Sequence, residues 1–405
     1  MKIAIVNSEH PSPTGNDHGG IATYTYTLAG LLAERGHTVH VLTRSLITPE
    51  HYSPSVSFHR YGFTGSANPV ARLLQRFHRD PITWEKGHAR SVNGIIRELY
   101  RKKQVDIADI PEYGGMAACY SSDDDMPPCA ITFHTPSSLV DSLNNMHPSE
   151  PRRRLYLLER EGITRAAGYK SPSHALKNHV CATYHLPESS VPVIRNPFDF
   201  TNQEHLHRQS HPADRFDILF SGRLEHRKGA EVLVQSISRM LAIGAEVTVT
   251  IAGETEINNA FNYRHAIERL LAPGERKRVW FPGPLPSVKL QALYANSSVL
   301  FFPSLYENCP YVLIEAMAAG LPVVATEGSG ISEIVTHNTS GLLFSPGDHS
   351  RLLAHIRTLY SDREYALCLG EAGARTVRQL FDPEAVIDAT IDFYQLVLHD
   401  GNRRT

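Results

Sequence analysis

The segment from Pro303 to Thr326, PSLYENCPYVLIEAMAAGLPVVAT, leaves this chain few ways to fold. Just before it, Ser298-Val-Leu-Phe-Phe302 has the length and composition of a strand buried on both faces, and Pro303-Ser304 ends that strand. A helix is expected from Pro310, because proline at the first helical position gives up only an amide with no intrahelical partner. Gly320 followed by Leu321-Pro322 closes that helix. The unit reads strand, loop, short helix, strand.

Two carboxylates mark it, Glu307 in the loop and Glu315 inside the helix. At about 1.5 Å rise per residue, their separation in sequence would span roughly 12 Å of helix. A glycosidase holds its two carboxyl groups about 5 to 9.5 Å apart across one bond, so this pair is expected to grip two places on one long ligand. The amides of Asn308, Cys309 and Tyr311 lie between them at a helix N-terminus, where oriented N–H groups favour an anion. A sugar hydroxyl at one end, a diphosphate in the middle and a ribose at the other describe a nucleotide sugar.

Glu307, seven residues, Glu315 and then AMAAGLPVVAT resemble the donor-site signature of the retaining GT-B glycosyltransferases of family 4. The resemblance implies two doubly wound, Rossmann-like α/β domains facing a central cleft. Residues 1–198 would form the acceptor-binding domain, with a C-terminal helix at about 383–405 crossing back onto it, and 199–382 the donor-binding domain. It further implies transfer of a hexose from a nucleoside-diphosphate sugar, UDP-linked by default, to a hydroxyl, with retention of configuration. A donor phosphate oxygen would take the acceptor proton, so no cofactor, metal or separate protein base is expected. Many relatives have Gly after the first glutamate; here Asn308-Cys309-Pro310 follows, and Pro310 offers no amide.

Composition agrees with this class. At 405 residues the chain exceeds the size at which one core stops growing. Its 40 Lys and Arg against 42 Asp and Glu give no electrostatic footprint for nucleic acid. No apolar run approaches a membrane span and the N-terminus does not read as a signal peptide, so a cytoplasmic setting is expected. Five scattered cysteines read as reduced thiols. His174, His179, Cys181 and His185 match no zinc spacing and read as a polar helix face.

Taken in order, residues 2–7, 21–35 and 38–43 form a strand, an amphipathic helix and a strand, one βαβ unit. Gly19-Gly20 at the loop-to-helix junction would let backbone approach a phosphate or sugar; in the resembled family a glycine-rich loop lies there over the diphosphate. The pair is not the G-x-G-x-x-G fingerprint, which argues against a nicotinamide enzyme. Residues 68–103 are helical and basic, with Arg72, Arg76, Arg79, Arg90, Arg97, Arg101, Lys102 and Lys103. Two readings stay open: a solvated face, which is preferred, or a patch for an anionic acceptor or peripheral contact with a membrane's inner face. Arg152-Arg-Arg154 raises the same choice.

Residues 105–110 suggest a strand, 111–115 a turn into a helix, and 121–128, SSDDDMPP, a surface loop. His134 ends a strand at its carboxyl edge, where open α/β sheets bind ligands, and it aligns with a histidine that the resembled family places beside the transferring sugar. Residues 201–214 are polar and read as a linker. Then Gly222-Arg223 and Lys228-Gly229 match the family's G-R-x-x-x-x-K-G motif; fixed cations there would stabilise a departing nucleoside diphosphate. Strands at 247–253 and 279–283 and helices at 230–241 and 259–271 continue the alternation, and Gly253 and Leu285 resemble positions that contact the nucleotide. The last helices are read at 352–360 and 383–398.

The expected roles are sugar hydroxyls on Glu307, ribose on Glu315, diphosphate on Arg223, Lys228, Gly19 and Gly20, and the developing cation beside His134. Cys309 reads as a packing residue, because only the helix terminus would lower its pKa. Three rivals remain: a nucleotide-sugar epimerase of the same fold, a sugar phosphorylase, and a non-catalytic nucleotide-sugar-binding protein. The last would be expected to have lost Arg223, Lys228 or Glu307.

Overall fold

Short apolar runs bounded by Gly and Pro become parallel strands here because both of their faces are covered. Val299–Phe302 and Val323–Thr326 are buried at every position in a computed structural model of the chain. The structure describes residues 1–8, 19–44, 53–62, 81–121, 123–201, 215–255 and 261–401. By contacts the chain divides into two compact units. One comprises Met1–Ser142, Met146–Phe198 and Pro383–Thr405; the other comprises Leu143–Asn145 and Asp199–Asp382.

The strands of the first unit are β1 (Lys2–Val6), β2 (Thr38–Thr43), β3 (Val56–Arg60), β4 (Ile107–Pro111), β5 (Cys129–Thr132) and β6 (Gly168–Lys170). They form one parallel sheet in the order β3-β2-β1-β4-β5-β6, with Ile3 registered on Val39 at one side and Ile107 at the other. The second unit contributes β7 (Phe216–Ser221), β8 (Val247–Ala252), β9 (Val279–Gly283), β10 (Val299–Phe302), β11 (Val323–Thr326) and β12 (Leu342–Phe344). Their order, β12-β11-β10-β7-β8-β9, repeats the first arrangement, again all parallel. Each sheet therefore reverses its winding once, between β1 and β4 and between β7 and β10. Ligands of doubly wound sheets bind outside the carboxyl ends of strands at such reversals.

A buried polar cluster fastens the C-terminal helix, Pro383–Gly401, to the first sheet. Asp109 of β4 accepts from the hydroxyls of Tyr394, Thr132 (2.6 Å) and Tyr24 (3.3 Å), and Lys170 of β6 lies 3.2 Å from its Oδ2. The Lys170 ammonium also sits over the rings of Tyr24, Phe393 and Tyr394. The carboxylate thus has a cation and three hydroxyls around it, and the ammonium has the carboxylate and three ring faces, the compensation that burial of a charge demands.

Several expectations need correction. Pro310 is the residue before the helix Tyr311–Ala318, not its first member. Glu307 to Pro310 are therefore outside it, and a helical rise does not measure the distance to Glu315. After β4 the chain makes a 3-10 turn at Tyr113–Gly115 rather than entering a helix, because Gly114 takes a positive φ of 79° there. Cys181 faces the core with Leu176 and Val180 instead of a polar surface. An eighteen-residue helix, Arg363–Leu380, and the edge strands β3 and β6 were not anticipated.

The basic helix is Pro81–Arg101; Arg72, Arg76 and Arg79 lie outside the described residues, as do 202–214 of the expected linker. Arg97 and Arg101 pair with Asp125 at 3.2 and 2.5 Å, and Lys102 with Glu98 at 2.6 Å, so this face is laced with ion pairs. Among the described residues no helix is long and apolar enough to cross a membrane.

Candidate functional site

The reversal between β7 and β10 brings together the residues that the sequence separates by eighty positions. β7 ends at Ser221 and releases the loop Gly222–Gly229; β10 ends at Phe302 and releases the loop that carries Glu307. Nζ of Lys228 donates to Oε1 of Glu307 at 2.5 Å. Nη1 of Arg227 lies 3.5 Å from Oε2 of the same carboxylate, so each oxygen has its own cation. Burial would lift the Glu307 pKa, but Lys228 and Arg227 outweigh it and hold the carboxyl below its ordinary value. Burial and the neighbouring Arg227 lower the Lys228 pKa, while Glu307 acts to raise it. Arg223 is half exposed and reaches Glu225 at 3.4 Å.

The Glu307 backbone is gripped as firmly as its side chain. Its N–H donates to Ser329 Oγ at 3.0 Å, and its carbonyl accepts from the Gly330 N–H at 2.7 Å. The approach of Gly330 is so close that a Cβ there would stand 1.7 Å from the Asn308 carbonyl oxygen. Gly253, at φ 134°, likewise has the Gly222 carbonyl 2.2 Å from where its Cβ would be, so the turns after β7 and β8 lie against each other. Asn308 and Cys309 are buried and Tyr311 is partly so; Leu285 is partly exposed in the turn after β9.

Glu315 projects from the Tyr311–Ala318 helix and accepts from the hydroxyl of the fully buried Tyr294 at 3.0 Å. Burial pushes its carboxyl up to about 7, with the Tyr294 hydrogen bond pulling against that rise. It is thus a carboxyl poised to change charge in the neutral range. Among the described residues no group of three His, Cys, Asp or Glu is arranged to hold a metal ion.

In the first unit, His134 follows β5, and both oxygens of the buried Glu112 accept from its backbone N–H, at 2.9 and 2.8 Å. Its ring meets the edge of Tyr24, centroids 4.8 Å apart. Burial pushes its pKa down to about 4, which keeps the imidazole neutral at physiological pH. Glu159 accepts from Gly114 N, Ser137 N and Ser137 Oγ, at 3.0, 3.0 and 2.6 Å. Burial lifts Glu112 to about 8 and Glu159 to about 7. Gly19 precedes the helix Gly20–Glu34, and its carbonyl accepts from Thr23 N and Oγ1. The loop before Gly19 lies outside the described residues.

Of the residues marked by sequence, Lys228 and Glu307 meet directly, Gly222 and Gly253 touch, and Arg223 joins them through Glu225. His134, Gly19 and Gly20 belong to the other unit. Sequence reasoning missed Arg227, Glu225, Tyr294, Glu112 and Glu159. Arg227 carried one signal, its place beside Lys228; Tyr294 carried none, since it reads as one more helical aromatic.

Residues 202–376 match the model of the family described as Glycosyl transferases group 1, and residues 18–202 that of Glycosyltransferase Family 4. The chain is 28% identical over 391 residues to a D-inositol 3-phosphate glycosyltransferase of Pseudarthrobacter chlorophenolicus, covering 92% of this chain and 89% of that one. Sucrose-phosphate synthase from Thermosynechococcus elongatus shares the fold with a TM-score of 0.75 at 21% identity, over 98% and 99% of the two chains. So does Anabaena HepE, solved with UDP and glucose, with a TM-score of 0.71 at 17% identity over the same shares.

Proposed function

Because the chain is a GT-B glycosyltransferase of family 4, we propose that it moves a hexose from a nucleoside-diphosphate sugar, by default UDP-linked, to a hydroxyl acceptor with retention of configuration. The observation that carries this reading is the buried Glu307 with Lys228 on one oxygen and Arg227 on the other, at the carboxyl ends of β7 and β10. A sugar hydroxyl donates to such a carboxylate, and a diphosphate beside it meets cations already in place. HepE, which shares the fold, was solved with UDP and UDP-glucose, which supports a nucleotide-sugar donor here.

In this reading Glu307 holds the sugar hydroxyls and Glu315 the ribose. Arg223 and Lys228, with Gly222, Gly253 and the segment Asn308, Cys309 and Tyr311, receive the diphosphate, and Leu285 borders the base. Gly19 and Gly20 close over the diphosphate, and neutral His134 supports the oxocarbenium-like sugar without repelling it. The acceptor oxygen bonds to the anomeric carbon as the carbon–phosphate-oxygen bond breaks. The acceptor proton passes to the departing phosphate oxygen. The product belongs to polysaccharide, lipopolysaccharide or glycoconjugate synthesis.

Thermal stability with UDP, GDP, ADP and their sugars tests the donor site. A ligand at 100 times its Kd adds about 2.7 kcal/mol. The expected result is a clear rise in Tm with one nucleotide, abolished in Glu315→Ala; no rise with any of them sinks the reading.

A further inference from the structure

Arg227 stands between two carboxylates, Glu225 and Glu307, and no ligand group has been assigned to it. Its Nη2 donates to Glu225 Oε1 at 2.7 Å, and its Nη1 donates to the Tyr306 carbonyl at 3.3 Å beside Oε2 of Glu307. Its own carbonyl accepts from Leu305 N at 2.8 Å, so main chain and side chain together clamp the segment that ends in Glu307. The side chain is only 10% exposed. A planar guanidinium can serve Glu225 and Glu307 at once with fixed angles between its N–H bonds; a lysine ammonium at the same place could not.

We propose that Arg227, braced by Glu225, is a positioning residue of the donor site: it fixes Oε2 of Glu307, and with it the plane of the carboxylate that faces the sugar. The proposal rests on the reading that Glu307 holds the transferring sugar. Without Arg227 the carboxylate rotates toward Lys228, which is then drawn away from the diphosphate. Both errors fall on the reacting end of the donor. The nucleoside end, at Glu315, is held by a different helix and keeps its contacts. Catalysis therefore suffers more than nucleotide binding.

Glu307 also loses one of the two cations that hold its pKa down. From the Gly222–Gly229 loop it faces Arg227 and Lys228, with Glu225 and Arg223 behind Arg227. Its own loop contributes Ser304 and Tyr306, the turn after β11 contributes Ser329, and Glu333 acts on Tyr306. Removing Arg227 leaves Lys228 as the cation in contact, so the carboxyl protonates at higher pH.

The test compares the full-length chain with Arg227→Met, Arg227→Lys and Glu225→Gln, reading UDP release from UDP-glucose with water in the acceptor's place. Arg227→Met is expected to lower kcat about 100-fold, to weaken UDP binding by about tenfold or less, and to move the acid limb of kcat at saturating donor to higher pH. Arg227→Lys is expected to return the acid limb toward its original position while kcat stays low. An unchanged kcat per folded molecule overturns the proposal, as does a loss of kcat and UDP affinity together with an unmoved acid limb. If the Arg227 variants do not fold, Glu225→Gln tests the bracing alone, because it frees the guanidinium without removing its charge: kcat is expected to fall more than UDP affinity with the acid limb not raised, and an unchanged kcat overturns the proposal. An original chain that binds none of UDP, GDP and ADP and releases none of them from its glucose sugar overturns the donor reading itself, and this proposal with it; if it accepts GDP or ADP instead, the same comparison is run with that nucleotide.

Discussion

Lys228 Nζ lies 2.5 Å from Glu307 Oε1, although 79 residues separate them in sequence, and the Glu307 side chain is 7% exposed. A buried pair of this kind is costly to break from one side: the surviving charge stays buried with less compensation, at about 3–5 kcal/mol. Lys228 is somewhat more open, so the lower end is expected for Lys228→Met in chemical denaturation. Donor turnover should drop about 100- to 1,000-fold. The double variant Lys228→Met/Glu307→Gln should recover most of the stability and none of the turnover. Recovery of turnover would show that the pair is only a structural tie.

Glu315 gives the site a pH dependence. Burial pushes its carboxyl up to about 7, and in the role proposed for it the ionised form would accept two ribose hydroxyls better than the protonated form. Affinity for UDP-glucose, whose diphosphate has no proton to lose near neutrality, is therefore expected to rise as pH climbs from 5.5 toward 7.5, about tenfold per unit at most. Tyr294→Phe removes the hydrogen bond that pulls the Glu315 pKa down, so the rise should begin at higher pH. Calorimetry at several pH values checks this; a flat profile for both proteins removes Glu315 from the nucleotide site.

Most strands were legible in sequence, the second sheet's edge strand β9 among them, but the two edges of the first sheet, β3 and β6, were not. Val299–Phe302 is buried on both faces and reads as an apolar run, whereas β3, Val56–Arg60, is buried fully at one position and carries Ser57, His59 and Arg60. Gly168–Lys170 is three residues long, and Gly168 is needed because a Cβ there would fall 2.5 Å from Val397. In the site, Glu307 and Lys228 stood out through loop position and spacing. That they meet each other is a tertiary fact. Arg227, Tyr294 and Glu112 act through partners 80, 21 and 22 positions away, and no local pattern encodes such pairs.

Glu112 predicts how stability follows pH. Burial raises its carboxyl from 4.5 to about 8, so the folded chain binds a proton that the unfolded chain has released between those values. This contribution to stability is fully present below about 4.5 and is lost as pH rises through about 8, at roughly 1.4 kcal/mol per unit within that window. Glu112→Gln, neutral throughout, should flatten the fall in unfolding free energy between pH 5 and 8 and leave the protein relatively more stable at the alkaline end. An undiminished slope in the variant would assign the fall to other groups, Glu159 and Glu315 first.

Gly330→Ala should move the loop that presents Glu307. The added Cβ would stand 1.7 Å from the Asn308 carbonyl oxygen and 2.9 Å from that of Glu307, and both are backbone atoms that cannot swing aside. The same shift would stretch the 2.7 Å hydrogen bond from Gly330 N to the Glu307 carbonyl. Gly320→Ala is the control: that residue has a φ of 73° but nothing within 4 Å of a Cβ, so it registers backbone strain alone, about 1 kcal/mol. Ser329→Ala removes only the acceptor for the Glu307 N–H, worth about 1 kcal/mol. Urea midpoints are expected to fall in the order Gly330, then Gly320 and Ser329 together. UDP release from UDP-glucose should fall strongly for Gly330→Ala, a few-fold for Ser329→Ala and hardly at all for Gly320→Ala. Equal turnover in the Gly330 and Gly320 variants would mean that the position of Glu307 does not govern transfer.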